Sequence, residues 1–165
     1  MENKNTIILG LVQMGMSNDK EKNLDKAVKM IGSAAKKGAQ IICLPELFSS
    51  LYFPQEEKFD ARRVAEPVPG TTTEVLSEAS RENTIILIGG SICEISGKKL
   101  FNTTVVFNQK GKMIGKYRKM HIPHDPNFYE QNYFKKGNLG YQVVDAHIAK
   151  IGTMICYDQW YPEAA

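Results

Sequence analysis

The sequence predicts an α/β fold built on a largely buried sheet with some antiparallel pairing. Three observations predict it. Thr6–Gln13 (TIILGLVQ), Gln40–Leu44 and Thr84–Ile88 are short apolar runs without polar alternation, as in strands buried on both faces. Between the first two runs, apolar residues recur at helical spacing. Further along, two strand-like runs flank a short turn, which is the pattern of a hairpin.

Thr6–Gln13 reads as the first strand. Asn18 stands three residues before Glu21, the spacing of a capping box, and predicts a helix start. Leu24, Ala27, Val28, Ile31, Ala34 and Ala35 line one face of that helix, and Gly38 ends it. Gln40–Leu44 is the second strand, stopped by Pro45. A β-α-β unit of this kind implies parallel strands.

Phe48–Gly70 reads as a long loop with a short helix. Thr71 and Glu74 predict a second capping box, followed by Val75, Leu76 and Ala79 on one face. Thr84–Ile88 is a strand that runs through Gly89 and Gly90 into Ser91–Ile95. Leu100–Phe107 and Lys112–Tyr117 flank the turn Asn108–Gly111. Tyr141–Asp145 and Lys150–Ile155 are two more strands, and Pro162 suits the first turn of a helix.

A length of 165 residues fits one domain, 1–165, against roughly 100–200 residues per domain. Apolar residues at 42% and charged residues at 24% exclude a disordered chain. Three scattered cysteines exclude a disulfide scaffold. No apolar run approaches the roughly 18 residues of a membrane span, and Met1–Asn5 with Ile7–Val12 lacks a secretory cleavage site. The expectation is a cytoplasmic protein with reduced thiols. The net charge of +3 is spread along the chain and gives no sign of nucleic acid or a membrane as partner. Its densest basic stretch, Lys110–Lys119, reads as a solvated hairpin. The chain breaks off at Trp160–Ala165 as a helix begins, which predicts a truncated chain.

Three segments each join an apolar strand to a reactive side chain. Glu46 lies just past Gln40–Leu44, Lys119 just past Lys112–Tyr117, and Cys156 on a strand-to-helix turn. In open α/β sheets reactive groups gather beyond the carboxyl ends of strands. A carboxylate, an ammonium and a thiol meeting there make a nucleophilic site. Taken singly, Glu46 also reads as a solvated loop carboxylate, Lys119 as one of many basic residues, and Cys156 as a buried inert thiol. Cys43 and Cys93 read as structural. His121 and His124 are separated by Pro123 and no C-x-x-C occurs, so no metal site is expected. Asn102–Thr103–Thr104 matches a glycosylation acceptor, which carries no meaning without export. Neither a Walker A loop nor G-x-G-x-x-G is present, and no cofactor is expected.

Together the segments Leu44–Glu46, Tyr117–Pro123 and Ile155–Asp158 resemble the nitrilase, or carbon–nitrogen hydrolase, superfamily. That family carries a Glu-Lys-Cys triad in this chain order, and Phe128–Gln131 resembles the segment of its second glutamate, here Glu130. Tyr117–Pro126 and Cys156–Glu163 are most similar to the branch of N-carbamoylputrescine amidases, with His124 and Tyr157 as departures from its usual residues. The resemblance implies an α-β-β-α sandwich of which roughly the first half is present, a sheet face left apolar and exposed, and a homo-oligomer.

It also implies a mechanism. Glu46 is the general base, Lys119 lowers the thiol's pKa and holds the oxyanion, and Cys156 is the nucleophile. The Tyr157 backbone N–H is the second oxyanion donor, and Glu130 orients Lys119. No metal takes part. The substrate is a small amide or carbamoyl amine, with Asp125, Asp158 and Glu163 as candidate partners for a distal ammonium. Two other readings stand beside this one. One is another amidase or carbamoyl amino acid hydrolase of the superfamily. The other is a catalytically inactive interaction module.

Overall fold

The computed structural model of the protein describes residues 6–164. Met1–Asn5 and Ala165, parts of the segments discussed above, lie outside the described residues. The first β-α-β unit forms as expected: β1 (Leu9–Leu11), α1 (Lys20–Lys36) and β2 (Ile41–Cys43), with β1 parallel to β2. The cap is one residue later than the spacing suggested. Asp19, not Asn18, accepts the Lys22 N–H at 3.1 Å, which is the N3 amide such a cap must reach. Gly38 takes the left-handed conformation just past the helix end.

Phe48–Gly70 contains two short 3-10 turns, Phe53–Gln55 and Ala61–Arg63. α2 (Thr71–Asn83) follows, and its cap also differs from expectation. Thr71 lies inside the helix and Gly70 is the cap residue. The first turn is instead satisfied by Glu66, whose Oε2 accepts the Thr72 N–H at 2.8 Å while Oε1 pairs with Lys20 at 2.8 Å. A carboxylate there also opposes the positive end of the helix dipole.

The rest of the sheet is β3 (Ile86–Ile88), β4 (Ile92–Ser96), β5 (Lys99–Phe107) and β6 (Met113–Arg118). β3 is parallel to β2, while β5 is antiparallel to β3, β4 and β6. The sheet order is β1-β2-β3-β5-β4, with β6 on β5. β7 (Val143–Asp145) and β8 (Lys150–Gly152) form a separate antiparallel pair.

The two helices cover one face of the sheet. Ala27, Ile31, Leu76 and Ala79 pack there with Ile42, Leu87, Val105 and Phe107. On the opposite face, Ile41, Ile86 and Val106 meet Ala146 and Ile151 of the β7–β8 pair. That cover does not reach β1. As the sheet's edge strand, β1 leaves Leu9 61% and Leu11 78% exposed, so Thr6–Gln13 is not buried on both faces as its sequence suggested.

Lys110–Lys119 is not a solvated hairpin throughout. Only its turn end is exposed. Lys116 and Arg118 both reach the buried Glu94 at 2.6 Å, Arg118 stacks on Phe101, and Lys119 is fully buried. Among the described residues no helix is long and apolar enough to cross a membrane.

Candidate active site

Four loops deliver the reactive side chains. β2 ends at Cys43, and the chain then turns at Pro45, Glu46 and Leu47, where Leu47 has φ 47°. Ser91 pins that turn: its N–H donates to Pro45 O at 3.2 Å, and its hydroxyl accepts the Leu47 N–H at 3.0 Å. The close approach needs Gly90, which has φ 57° and whose Cβ would stand 2.1 Å from Pro45 O.

Lys119 follows β6 directly. Its carbonyl accepts the Gly137 N–H at 2.8 Å, and a Cβ on Gly137 would lie 2.0 Å from Arg118 O. Glu130 opens a 3-10 turn, Glu130–Asn132. Cys156 opens another, Cys156–Trp160, with φ 45°. A left-handed residue at a strand-to-turn junction is costly for a side chain other than glycine, and such strain clusters at functional sites.

Lys119 lies at the centre. Its Nζ donates to Glu46 Oε1 at 2.8 Å and to Glu130 at 2.8 and 3.0 Å. Both Lys119 and Glu130 are fully buried, while the Glu46 side chain keeps 21% exposure. Two further residues join the cluster. Asn102 Nδ2 donates to Glu46 Oε1 at 2.7 Å, and the Tyr52 hydroxyl donates to Glu130 Oε1 at 2.8 Å.

The electrostatics follow from this packing. Burial works against the charge of Lys119, but Glu46 and Glu130 outweigh it and hold the ammonium above the usual lysine range. Burial, then the charge of Glu46, raises Glu130 above the usual carboxylate range despite Lys119. Burial, then Glu46, pushes the Cys156 thiol up to about 11; Lys119 pulls the other way and loses. Lys119 does lower the thiol's pKa, as expected, but the net shift is upward. Two carboxylates and burial outweigh one ammonium, and the resting group at neutral pH is a thiol.

Comparison with known proteins adds the lineage. The family described as "Carbon-nitrogen hydrolase" matches residues 8–165. The chain belongs to the carbon–nitrogen hydrolase family. Among similar proteins, an N-carbamoylputrescine amidase of Solanum lycopersicum is 35% identical over 100% of this chain and 55% of its own length. Omega-amidase NIT2-B of Xenopus laevis is 41% identical over 95% of this chain and 57% of its own. The crystal structure of a carbon–nitrogen hydrolase from Helicobacter pylori G27 superimposes with a TM-score of 0.90 at 34% identity, covering 96% of this chain and 54% of that one. Nit3 of Saccharomyces cerevisiae, a member of branch 10 of the nitrilase superfamily, gives 0.80 at 35% identity, covering 96% of this chain and 58% of that one. The fold is thus that of the nitrilase superfamily, and the chain spans about half the length of the curated relatives it matches.

The other residues singled out from the sequence divide. The Tyr157 N–H, in the first turn after Cys156, meets no acceptor among the described residues. Asp125 is exposed in a turn closed by Phe128, and the exposed Glu163 stands 3.4 Å from His121 Nε2. Asp158 is not a substrate contact. It is fully buried and accepts from Tyr117 Oη at 2.7 Å, His121 N at 2.9 Å and Ile155 N at 3.0 Å, with His121 Nδ1 also 3.0 Å away. Its oxygens are occupied, and it ties the Cys156 turn to the exit of β6. His121 itself stacks on Tyr161 at 3.6 Å.

Asn102, Tyr52 and Ser91 were not singled out for the site. Asn102 carries a signal, three polar residues in the middle of an apolar strand, which the sequence presents only as a glycosylation match without meaning. It is fully buried, which excludes glycosylation of the folded chain. Tyr52 and Ser91 carry no local sequence signal.

Proposed function

We propose that the protein hydrolyses a carbon–nitrogen bond of a small amide or carbamoyl amine through a thioester on Cys156. Glu46 takes the thiol proton as sulfur attacks the carbonyl carbon. The Lys119 ammonium and the Tyr157 N–H hold the resulting oxyanion. Expulsion of the amine or ammonia, protonated by Glu46, leaves the thioester. Water then gives its proton to Glu46, attacks the thioester and releases the acid, and Cys156 regains its proton. Glu130 keeps Lys119 charged and aimed. The observation that carries this reading is a fully buried ammonium held at 2.8 Å by each of two carboxylates, all three acting on the Cys156 thiol.

N-carbamoylputrescine is the substrate this reading favours, giving putrescine, ammonia and carbon dioxide. The similarity to N-carbamoylputrescine amidases supports it. So do two exposed carboxylates, Asp125 and Glu163, which suit a distal ammonium. A second reading, an omega-amidase, is favoured by the 41% identity to such enzymes.

The test compares turnover of N-carbamoylputrescine, an ω-amide of a dicarboxylic acid, N-carbamoyl-β-alanine and a simple nitrile. The first is expected to be preferred, and preference for the ω-amide reverses the substrate assignment. Cys156→Ala is expected to abolish turnover and the covalent adduct seen by mass spectrometry. Persistent turnover removes Cys156 as nucleophile. Lys119→Ala is expected to lower kcat by about 10²–10³, as loss of an oxyanion donor does. A change in KM alone contradicts that role.

A further inference from the structure

We propose that Asn102 is a positioning residue that determines which oxygen of Glu46 receives the thiol proton. The proposal rests on the reading of Glu46 as base and Cys156 as nucleophile. Asn102 lies within β5 and is fully buried. Its Nδ2 donates to Glu46 Oε1 at 2.7 Å and approaches Glu130 Oε2 at 3.5 Å. Both neighbours are carboxylate oxygens, so the NH₂ end of the amide must face them. Its backbone carbonyl accepts the Lys119 N–H at 2.9 Å. One neutral residue therefore bonds to both carboxylates through its side chain and to the Lys119 backbone through its carbonyl.

The consequence lies at Glu46. Oε1 accepts from both Lys119 Nζ and Asn102 Nδ2, whereas no nitrogen or hydroxyl among the described residues donates to Oε2. Two donors on one oxygen fix the rotation of the carboxylate and occupy that oxygen's lone pairs. Oε2 is left as the free basic atom for the Cys156 proton. Asn102 also places a neutral donor between two carboxylates that one lysine serves, which eases their repulsion without adding charge.

Packing alone does not account for this asparagine. Its Oδ1 is buried with no protein partner among the described residues, where an apolar side chain of the same size leaves nothing unpaired. The charged and titratable groups facing Glu46 are Lys119 from the end of β6, Glu130 from its own turn and the Cys156 thiol, with the Tyr52 phenol behind Glu130.

The experiment measures kcat, KM and their pH dependence for the protein and for Asn102→Leu, Asn102→Asp and Glu46→Gln, together with Tm. Loss of a hydrogen bond to the charged form of the base is expected to lower kcat at neutral pH about tenfold in Asn102→Leu and to move the acid limb of kcat/KM up by about one pH unit. KM is expected to stay nearly constant. Asn102→Asp keeps the shape but adds a third carboxylate, and its acid limb is expected to move further up. An unmoved acid limb in both variants overturns the proposal, whether Tm falls or holds, because a merely structural role changes Tm and leaves the limb in place. A separate failure is visible in Glu46→Gln. Wild-type turnover there, or no turnover by the unaltered protein, overturns the reading of Glu46 and Cys156 itself.

Discussion

Cys156 combines two features that pull in opposite directions. Its turn leaves the residue as a whole exposed, while partial burial of the thiol and the charge of Glu46 keep it protonated up to about 11. A reactive thiol normally sits beside a net positive charge. Here the ammonium is outnumbered, so activation requires a base and not a preformed thiolate. The sign is checkable. In Glu46→Gln one negative charge leaves, so the midpoint for iodoacetamide alkylation of Cys156 is expected to fall below about 11, and alkylation at mildly alkaline pH to quicken. Amide hydrolysis in the same variant is expected to fall by about 10²–10⁴, the usual contribution of a general base. Peptide mapping by mass spectrometry separates Cys156 from the half-buried Cys43 and buried Cys93. Parallel losses in both assays contradict the charge argument.

Between residue and fold lie the devices that carry reactive groups to one place. Asp158 clamps the Cys156 turn to the exit of β6, and Gly90 lets the Glu46 turn pack against the start of β4. Removing the Asp158 acceptor leaves buried donors on Tyr117, His121 and Ile155 without a partner, at about 1–3 kcal/mol each where the site cannot readjust. Asp158→Ala is expected to lower Tm by several degrees and to reduce turnover. An unchanged Tm shows that the clamp bears no weight. Gly90→Ala places a Cβ 2.1 Å from Pro45 O at a φ of 57°, so the Glu46 turn must shift. A 1 Å misplacement of a catalytic group typically costs about 10² in rate. Turnover in Gly90→Ala is accordingly expected to fall by about that factor, as steady-state kinetics will show. Elements of this kind were half legible. Gly38 and the hairpin turn at Asn108–Gly111 were clear from local chemistry. The caps at Asp19 and Gly70 were not, because the neighbouring Asn18 and Thr71 offered equally plausible spacing and only the amide positions choose between them.

Across the whole molecule the two faces of the sheet differ. The helix face is sealed, whereas the opposite face is covered by β7–β8 only in part, leaving Leu9 and Leu11 in solvent on an edge strand. An exposed apolar edge favours self-association. Leu11→Lys is expected to reduce concentration-dependent association of the 165-residue chain in light scattering, with stability changed by about 0.5 kcal/mol or less for so exposed a position. Unchanged scattering clears this edge of that role.

The sequence by itself determined the presence of the strands, the two helices and the strand ends beside Glu46 and Lys119, whereas Lys150–Ile155 is a strand only to Gly152 and Cys156 opens a separate 3-10 turn. Those features depend on local periodicity and on turn residues adjacent in the chain. The tertiary structure decided what local pattern does not encode: Asn102 and Tyr52 as partners of the glutamates, Asp158 as an interior clamp, and β1 as an exposed edge. Each depends on groups that meet across 28 or more residues of chain, and there charge, burial and hydrogen-bond geometry act together on the packed molecule.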